Sequence, residues 1–214
     1  HPRGAIPKET GLSVHVDYYM APHSPWTYLG HDRLVKIARA AGATVRLRPV
    51  DLGQVFPVSG GLPLPKRAPQ RQAYRLVELR RFSEHLGLPL NLQPRHFPVP
   101  VEDAARLLIA VDREDGTDAA LGLAGALLAA VWAQERDVSD AAVLGELLEA
   151  RGLPASRLAR ARDDASTQQQ YQDYTREAID AGVFGSPSYV VDGEIFWGQD
   201  RLDFLARRLG VASA

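Results

Sequence analysis

The junction spanning residues 14–28 constrains this chain most, because it specifies where a strand stops and a helix begins. Val14, Val16, Tyr18 and Met20 alternate along a half-buried strand pattern, and Ala21-Pro22 ends it. Ser24 has the chemistry of a helix N-cap and Pro25 that of a first helical residue, so His23-Ser24-Pro25-Trp26-Thr27-Tyr28 reads as a helix start. The hydroxyl at that tip looks toward unpaired backbone N–H groups and a positive dipole end. An anion or a polarisable sulfur is stabilised in such a place.

Downstream, Leu34, Ile37, Ala38 and Ala41 recur at helical spacing and Gly42 supplies a stop. Residues 44–48 form a second strand closed by Pro49, which makes a parallel strand-helix-strand unit with a right-handed crossover. Residues 51–69 are rich in Gly and Pro without a sustained period, and the expectation there is a loop. Helices are expected over 73–86, 102–112, 118–134, 139–150 and 167–181, with a shorter piece near 156–162. Ser188 to Trp197 splits around Asp192-Gly193 into two short strands, a hairpin signal, and Asp200 is placed to cap a last helix carrying Leu202, Leu205 and Leu209.

The two sheet-forming ends therefore frame a helical middle. Joining them gives an α/β architecture: a thioredoxin-like mixed sheet with a helical domain inserted in the middle. The expected division is a leader at 1–12, a thioredoxin-like domain from 13–58 and 183–214, and an inserted helical domain at 59–182.

Composition narrows the function. Lys plus Arg number 25 and Asp plus Glu 26, a balance that argues against nucleic acid or an anionic membrane as the main partner. The sequence has no cysteine, which removes disulfides, thiolate metal sites and cysteine nucleophiles; any sulfur chemistry must use a borrowed thiol. His15, His23, His31, His85 and His96 form no metal-ligand spacing, so no metal is expected. No apolar run reaches the length of a membrane span and the first residues lack a signal-peptide core, giving a cytoplasmic expectation.

Three places carry the chemistry. Ser24 alone reads as a cap, but in a thioredoxin-like fold Ser24-Pro25-Trp26-Thr27 stands where a redox Cys-x-x-Cys pair would sit. Its hydroxyls cannot exchange disulfides, yet one can donate a hydrogen bond to a ligand thiolate. Ser186-Pro187 is either a cis proline facing the active helix, leaving the Ser186 backbone to pair with a peptide-like ligand, or a trans proline opening an edge strand. Gln199 and Asp200 read as a strand end and cap, as the holders, with nearby N–H groups, of a ligand's ammonium and carboxylate, or as both at once. His23 is read as a solvated loop residue, with a role as base or counter-ion the alternative.

Ser24 to Tyr28, Gly182 to Pro187 and Val191 to Leu202 together closely resemble the 2-hydroxychromene-2-carboxylate isomerases, relatives of kappa-class glutathione transferases. The resemblance runs from about residue 14 to 209. It implies a cytoplasmic glutathione-dependent enzyme, with dimers as in relatives and a small-molecule unsaturated keto acid of aromatic degradation as substrate. Ser24 would contact the glutathione sulfur as the catalytic residue, Ser186 before a cis Pro187 would pair with the cysteinyl part, and Gln199 and Asp200 would hold the γ-glutamyl end. A basic residue would face a glutathione carboxylate: Arg71, with Lys66 and Arg67 as competitors. The implied chemistry is reversible addition of the thiolate to a conjugated double bond, rotation, and departure. Alternatives are a kappa-like transferase or peroxidase and a non-catalytic glutathione- or peptide-binding module. Ala21, Pro22 and His23, and Gly61 near a kappa asparagine, depart from the family pattern.

Overall fold

A computed structural model describes residues 13–214; the expected leader at 1–12 lies outside the described residues. Strand β1 (His15–Met20) runs into helix α1 (Pro25–Ala41) and strand β2 (Thr44–Pro49), which pairs parallel with β1 from His15–Thr44 to Met20–Pro49. At the other end, β3 (Ser188–Val191) and β4 (Glu194–Trp197) form an antiparallel hairpin. Asp192 and Gly193 take φ of 48° and 81°, as a tight two-residue turn of this hand requires. Because β3 lies antiparallel beside β1, with Tyr18 opposite Tyr189, the sheet order is β2-β1-β3-β4. This is the mixed thioredoxin-like sheet expected from the sequence.

Between β2 and β3 come α2 (Leu52–Ser59), α3 (Pro69–Leu86), α4 (Glu102–Asp115), α5 (Thr117–Trp132), α6 (Ala141–Ala150), α7 (Arg157–Asp163) and α8 (Ala165–Asp180); α9 (Leu202–Arg208) closes the chain. Two segments depart from the sequence expectation. Residues 51–69 are not all loop: Asp51 caps α2 through Gly53 N–H at 2.8 Å, and that short helix contains Pro57. A single 3-10 turn follows at Leu64–Lys66. The second departure is at α3, which starts at Pro69 in the first helical turn, so Arg71 is already inside it.

Both faces of β1 are covered. Val16, Tyr18 and Met20 join a core shared with Leu34 and Ile37 of α1, Leu107 and Leu108 of α4, and Leu127 of α5. Tyr19 points the other way and is 4% exposed, packed with Val50, Val183 and Ala178 of α8. The alternating pattern thus gives way to continuous burial over Tyr18 to Met20, as in a central strand with helices on both sides.

Candidate functional site

Helix α1 begins at Ser24 by two local devices. The Ser24 Oγ accepts from Thr27 N–H at 3.2 Å, and Pro25, with no N–H to satisfy, takes the first helical position. The same hydroxyl donates to the Ser186 carbonyl at 3.3 Å, so a residue from the far end of the chain lies directly across the junction. The Ser186–Pro187 bond is cis, as is Phe97–Pro98, which the sequence did not single out.

Ser186 is tied in twice more. Its Oγ accepts from Ala21 N–H at 2.9 Å and shares a 2.7 Å hydrogen bond with Thr27 Oγ1. End of strand, start of helix and proline loop are locked as one unit. Among the described residues no protein group accepts from the Ser186 backbone N–H, which is therefore available to a ligand.

Ser24, Arg71, Ser186, Gln199 and Asp200 all line one cleft of about 1660 Å³; Pro187 is not part of its lining. Pockets for a single small ligand run to ~300–1,000 Å³, so this one has room for a tripeptide and a second molecule. Trp197 and Phe184 face each other at its rim, ring centroids 4.8 Å apart, over Gly185, where a Cβ would collide with the Trp197 indole.

Gln199 sits in a 3-10 turn (Gln199–Arg201) pressed against α1 at Gly30, where an added Cβ would fall 2.8 Å from both Gln199 Cβ and Tyr189 Oη. Its side chain is buried, and its Oε1 accepts from Arg33, which leaves the amide N–H groups for another partner. Asp200 is exposed and does not cap α9: the turn that precedes the helix has no side-chain cap, and the carboxylate instead meets Arg201 at 3.1 Å. Of the three basic competitors, Arg67 donates to Leu62 O at 2.8 Å, Lys66 does not line the cleft, and Arg71 lines it without an ion pair among the described residues.

His23 differs from its expectation. It is not a solvated loop residue: its ring packs on Phe97 with centroids 5.5 Å apart, its carbonyl accepts from Trp132 Nε1 at 3.0 Å, and its Nδ1 is buried without a partner among the described residues. Burial pushes its pKa down to about 4, with Asp51 pulling weakly the other way, so at neutral pH the ring is uncharged. Phe97 and Trp132, 4.8 Å apart, come from the inserted segment, and Arg75 of α3 lies over both rings. Sequence reasoning missed Arg75. The four-residue interval from Arg71 to Arg75 was the available signal, since it puts two cations on one side of α3, with Arg67 just before the helix.

Among the described residues no cluster of His, Asp or Glu is arranged to hold a metal, and no helix is long and apolar enough to cross a membrane.

Residues 15–210 match the family model described as DSBA-like thioredoxin domain. The chain is 29% identical over 191 residues to a 2-hydroxychromene-2-carboxylate isomerase of Sphingobium xenophagum, covering 89% of this chain and 95% of that protein. It is 25% identical to glutathione S-transferase kappa 1 of Rattus norvegicus, covering 87% of each. A solved 2-hydroxychromene-2-carboxylate isomerase superposes with a TM-score of 0.76 at 27% identity, covering 92% of this chain and 94% of that one. Matched along nearly its whole described length, the chain belongs to the DSBA-like thioredoxin domain family, with hydroxyls of Ser24 and Thr27 at the head of α1.

Proposed function

We propose that this protein is a glutathione-dependent cis-trans isomerase of the 2-hydroxychromene-2-carboxylate isomerase type. The observation that carries the reading is the Ser24 hydroxyl, fixed at the N-terminus of α1 and opening into a cleft whose opposite wall offers the Ser186 N–H. The similarity to proteins named as such isomerases supports it.

The residues present fit glutathione. Ser186 N–H would pair with the tripeptide backbone, the Gln199 amide with the γ-glutamyl carboxylate, Asp200 with the ammonium, and Arg71 with the glycyl carboxylate. When bound, glutathione supplies a thiolate that adds to the conjugated alkene, leaves a rotatable single bond, and departs unchanged. Ser24 has to swing its proton from the Ser186 carbonyl, a long 3.3 Å bond, toward sulfur. The 17-residue α1 adds its dipole end at the same point. Both favour the ionised sulfur, and a one-unit fall in thiol pKa needs only about 1.4 kcal/mol. The cytoplasm, where thiols stay reduced, suits this chemistry, and a homodimer like its relatives is the proposed assembly.

Turnover of 2-hydroxychromene-2-carboxylate at saturating glutathione tests the reading. Conversion without glutathione consumption is expected, with Ser24→Ala slower by about 10- to 100-fold, the worth of one charge-assisted hydrogen bond. No conversion rejects it. The similarity to the kappa transferase favours one alternative, in which the thiolate attacks an electrophile and stays attached; stoichiometric loss of glutathione with a chloronitrobenzene would select that reading. Binding of glutathione without either reaction would leave a binding module.

A further inference from the structure

Three arginines line the cleft, and their surroundings differ. Arg67 is bonded to Leu62 O and lies over Phe56, at 5.9 Å from the ring centroid. Arg71 is exposed on the first turn of α3. Arg75, one turn deeper, is half-buried; its guanidinium carbon stands 5.6 Å from the centroid of Phe97 and 5.8 Å from that of Trp132. No carboxylate or carbonyl among the described residues accepts from it. Glu78, on the next turn of α3, is committed to Arg81. Burial and the neighbouring Arg67 hold the Arg75 pKa down to about 10, which leaves it a full cation at neutral pH but one without neutralisation.

A desolvated guanidinium with no anion is costly, and cation–π contact with two rings offsets only part of that. Arg157 and Arg162 are neutralised, the first by Asp115 and Glu114 and the second by Asp103, and half-buried Arg33, without a carboxylate, at least donates to Leu29 O and Gln199 Oε1; Arg75 has neither kind of partner among the described residues. The Arg75 corner is otherwise aromatic, with the Phe97 ring inclined at 52° to Trp132 and the uncharged His23 ring beyond it. A planar group fits against one aromatic ring face, and a bidentate anion fits the guanidinium.

We propose that Arg75 is the specificity-determining residue for the second molecule in the cleft, binding the carboxylate of a planar conjugated acid laid against Phe97, while Arg71 serves the glutathione carboxylate. The assignment of the carboxylate to substrate rests on the functional reading above; the recognition of a planar carboxylate by Arg75 does not.

The test is therefore a binding measurement as well as a kinetic one. Calorimetric titration of the glutathione-saturated protein uses trans-cinnamate and its neutral isostere trans-cinnamamide, on wild type, Arg75→Met and Arg75→Lys. Met retains the apolar stem over the rings, and circular dichroism checks that the fold persists. Expected is a 10- to 100-fold loss of cinnamate affinity in Arg75→Met, partial retention in Arg75→Lys, no change for cinnamamide, and glutathione affinity within about twofold of wild type. With the chromene substrate, KM should rise by a similar factor. Equal cinnamate affinity in wild type and Arg75→Met overturns the proposal, as does a loss of glutathione affinity in place of cinnamate affinity. Failure of the isomerase reaction with intact Arg75-dependent cinnamate binding would reject the reaction and leave this site standing.

Discussion

Ser24 carries a cap and, in the proposed function, a ligand contact on one oxygen, and the two can be separated by substitution. Ser24→Ala removes the bond from Thr27 N–H and should lower stability by about 0.5–2 kcal/mol in urea unfolding, whereas Ser24→Asn, also a good cap, should keep the stability and lose the activity. Equal stability of all three proteins would show that the cap is idle. His23 makes a second prediction. Its folded pKa of about 4 lies below the unfolded value of about 6.5, so the unfolded chain takes up the proton first. The contribution of His23 is thus complete above pH ~6.5 and is lost as pH falls toward 4. His23→Gln should flatten that acid limb without abolishing it, because burial also lowers the pKa of His31; an unchanged slope would place His23 in water after all. Ser24, Ser186 and the Gln199-Asp200 pair were legible in the sequence because each stands in a local motif. His23 and Arg75 were not, since what buries them is Phe97 and Trp132, delivered by packing from remote segments.

Among the elements, β1, α1 and the β3–β4 hairpin follow from short-range signals, and α2 does not. A Gly- and Pro-rich stretch gives no period to read, yet Asp51 starts a helix there and Val55 buries completely beneath it. The last helix shows the converse: Asp200 has the right chemistry to cap it, but the chain enters through a 3-10 turn that fits Gln199 against Gly30. What holds the junction together is the Ser186 hydroxyl, whose loss in Ser186→Ala leaves the Ala21 N–H buried and unpaired. A cost of about 1–3 kcal/mol is expected, together with weaker glutathione binding by calorimetry. Wild-type stability in this variant would mean that the strand end and helix start are positioned by packing alone.

For the molecule as a whole, one buried cluster runs from Val16 and Tyr18 of the sheet through Leu34 of α1 to Leu107, Leu127, Leu147 and Leu158 of α4 to α7. The inserted helices share this core with the sheet, so thermal unfolding followed by circular dichroism and by tryptophan fluorescence should give coincident single transitions; two separated transitions would show an independent insertion. The same arrangement builds the cleft from both segments, with the Ser24 wall at the head of α1 and the aromatic and cationic wall on elements between β2 and β3. In the proposed function, Ser24 and the head of α1 hold a borrowed thiol ionised. The ultraviolet absorbance of the thiolate, titrated against pH for glutathione bound to wild type and to Ser24→Ala, measures this directly. A bound thiol pKa at least about one unit below that of free glutathione is expected, returning toward the free value in Ser24→Ala. A bound thiol that titrates like free glutathione, or a depressed pKa that survives Ser24→Ala unchanged, would contradict it.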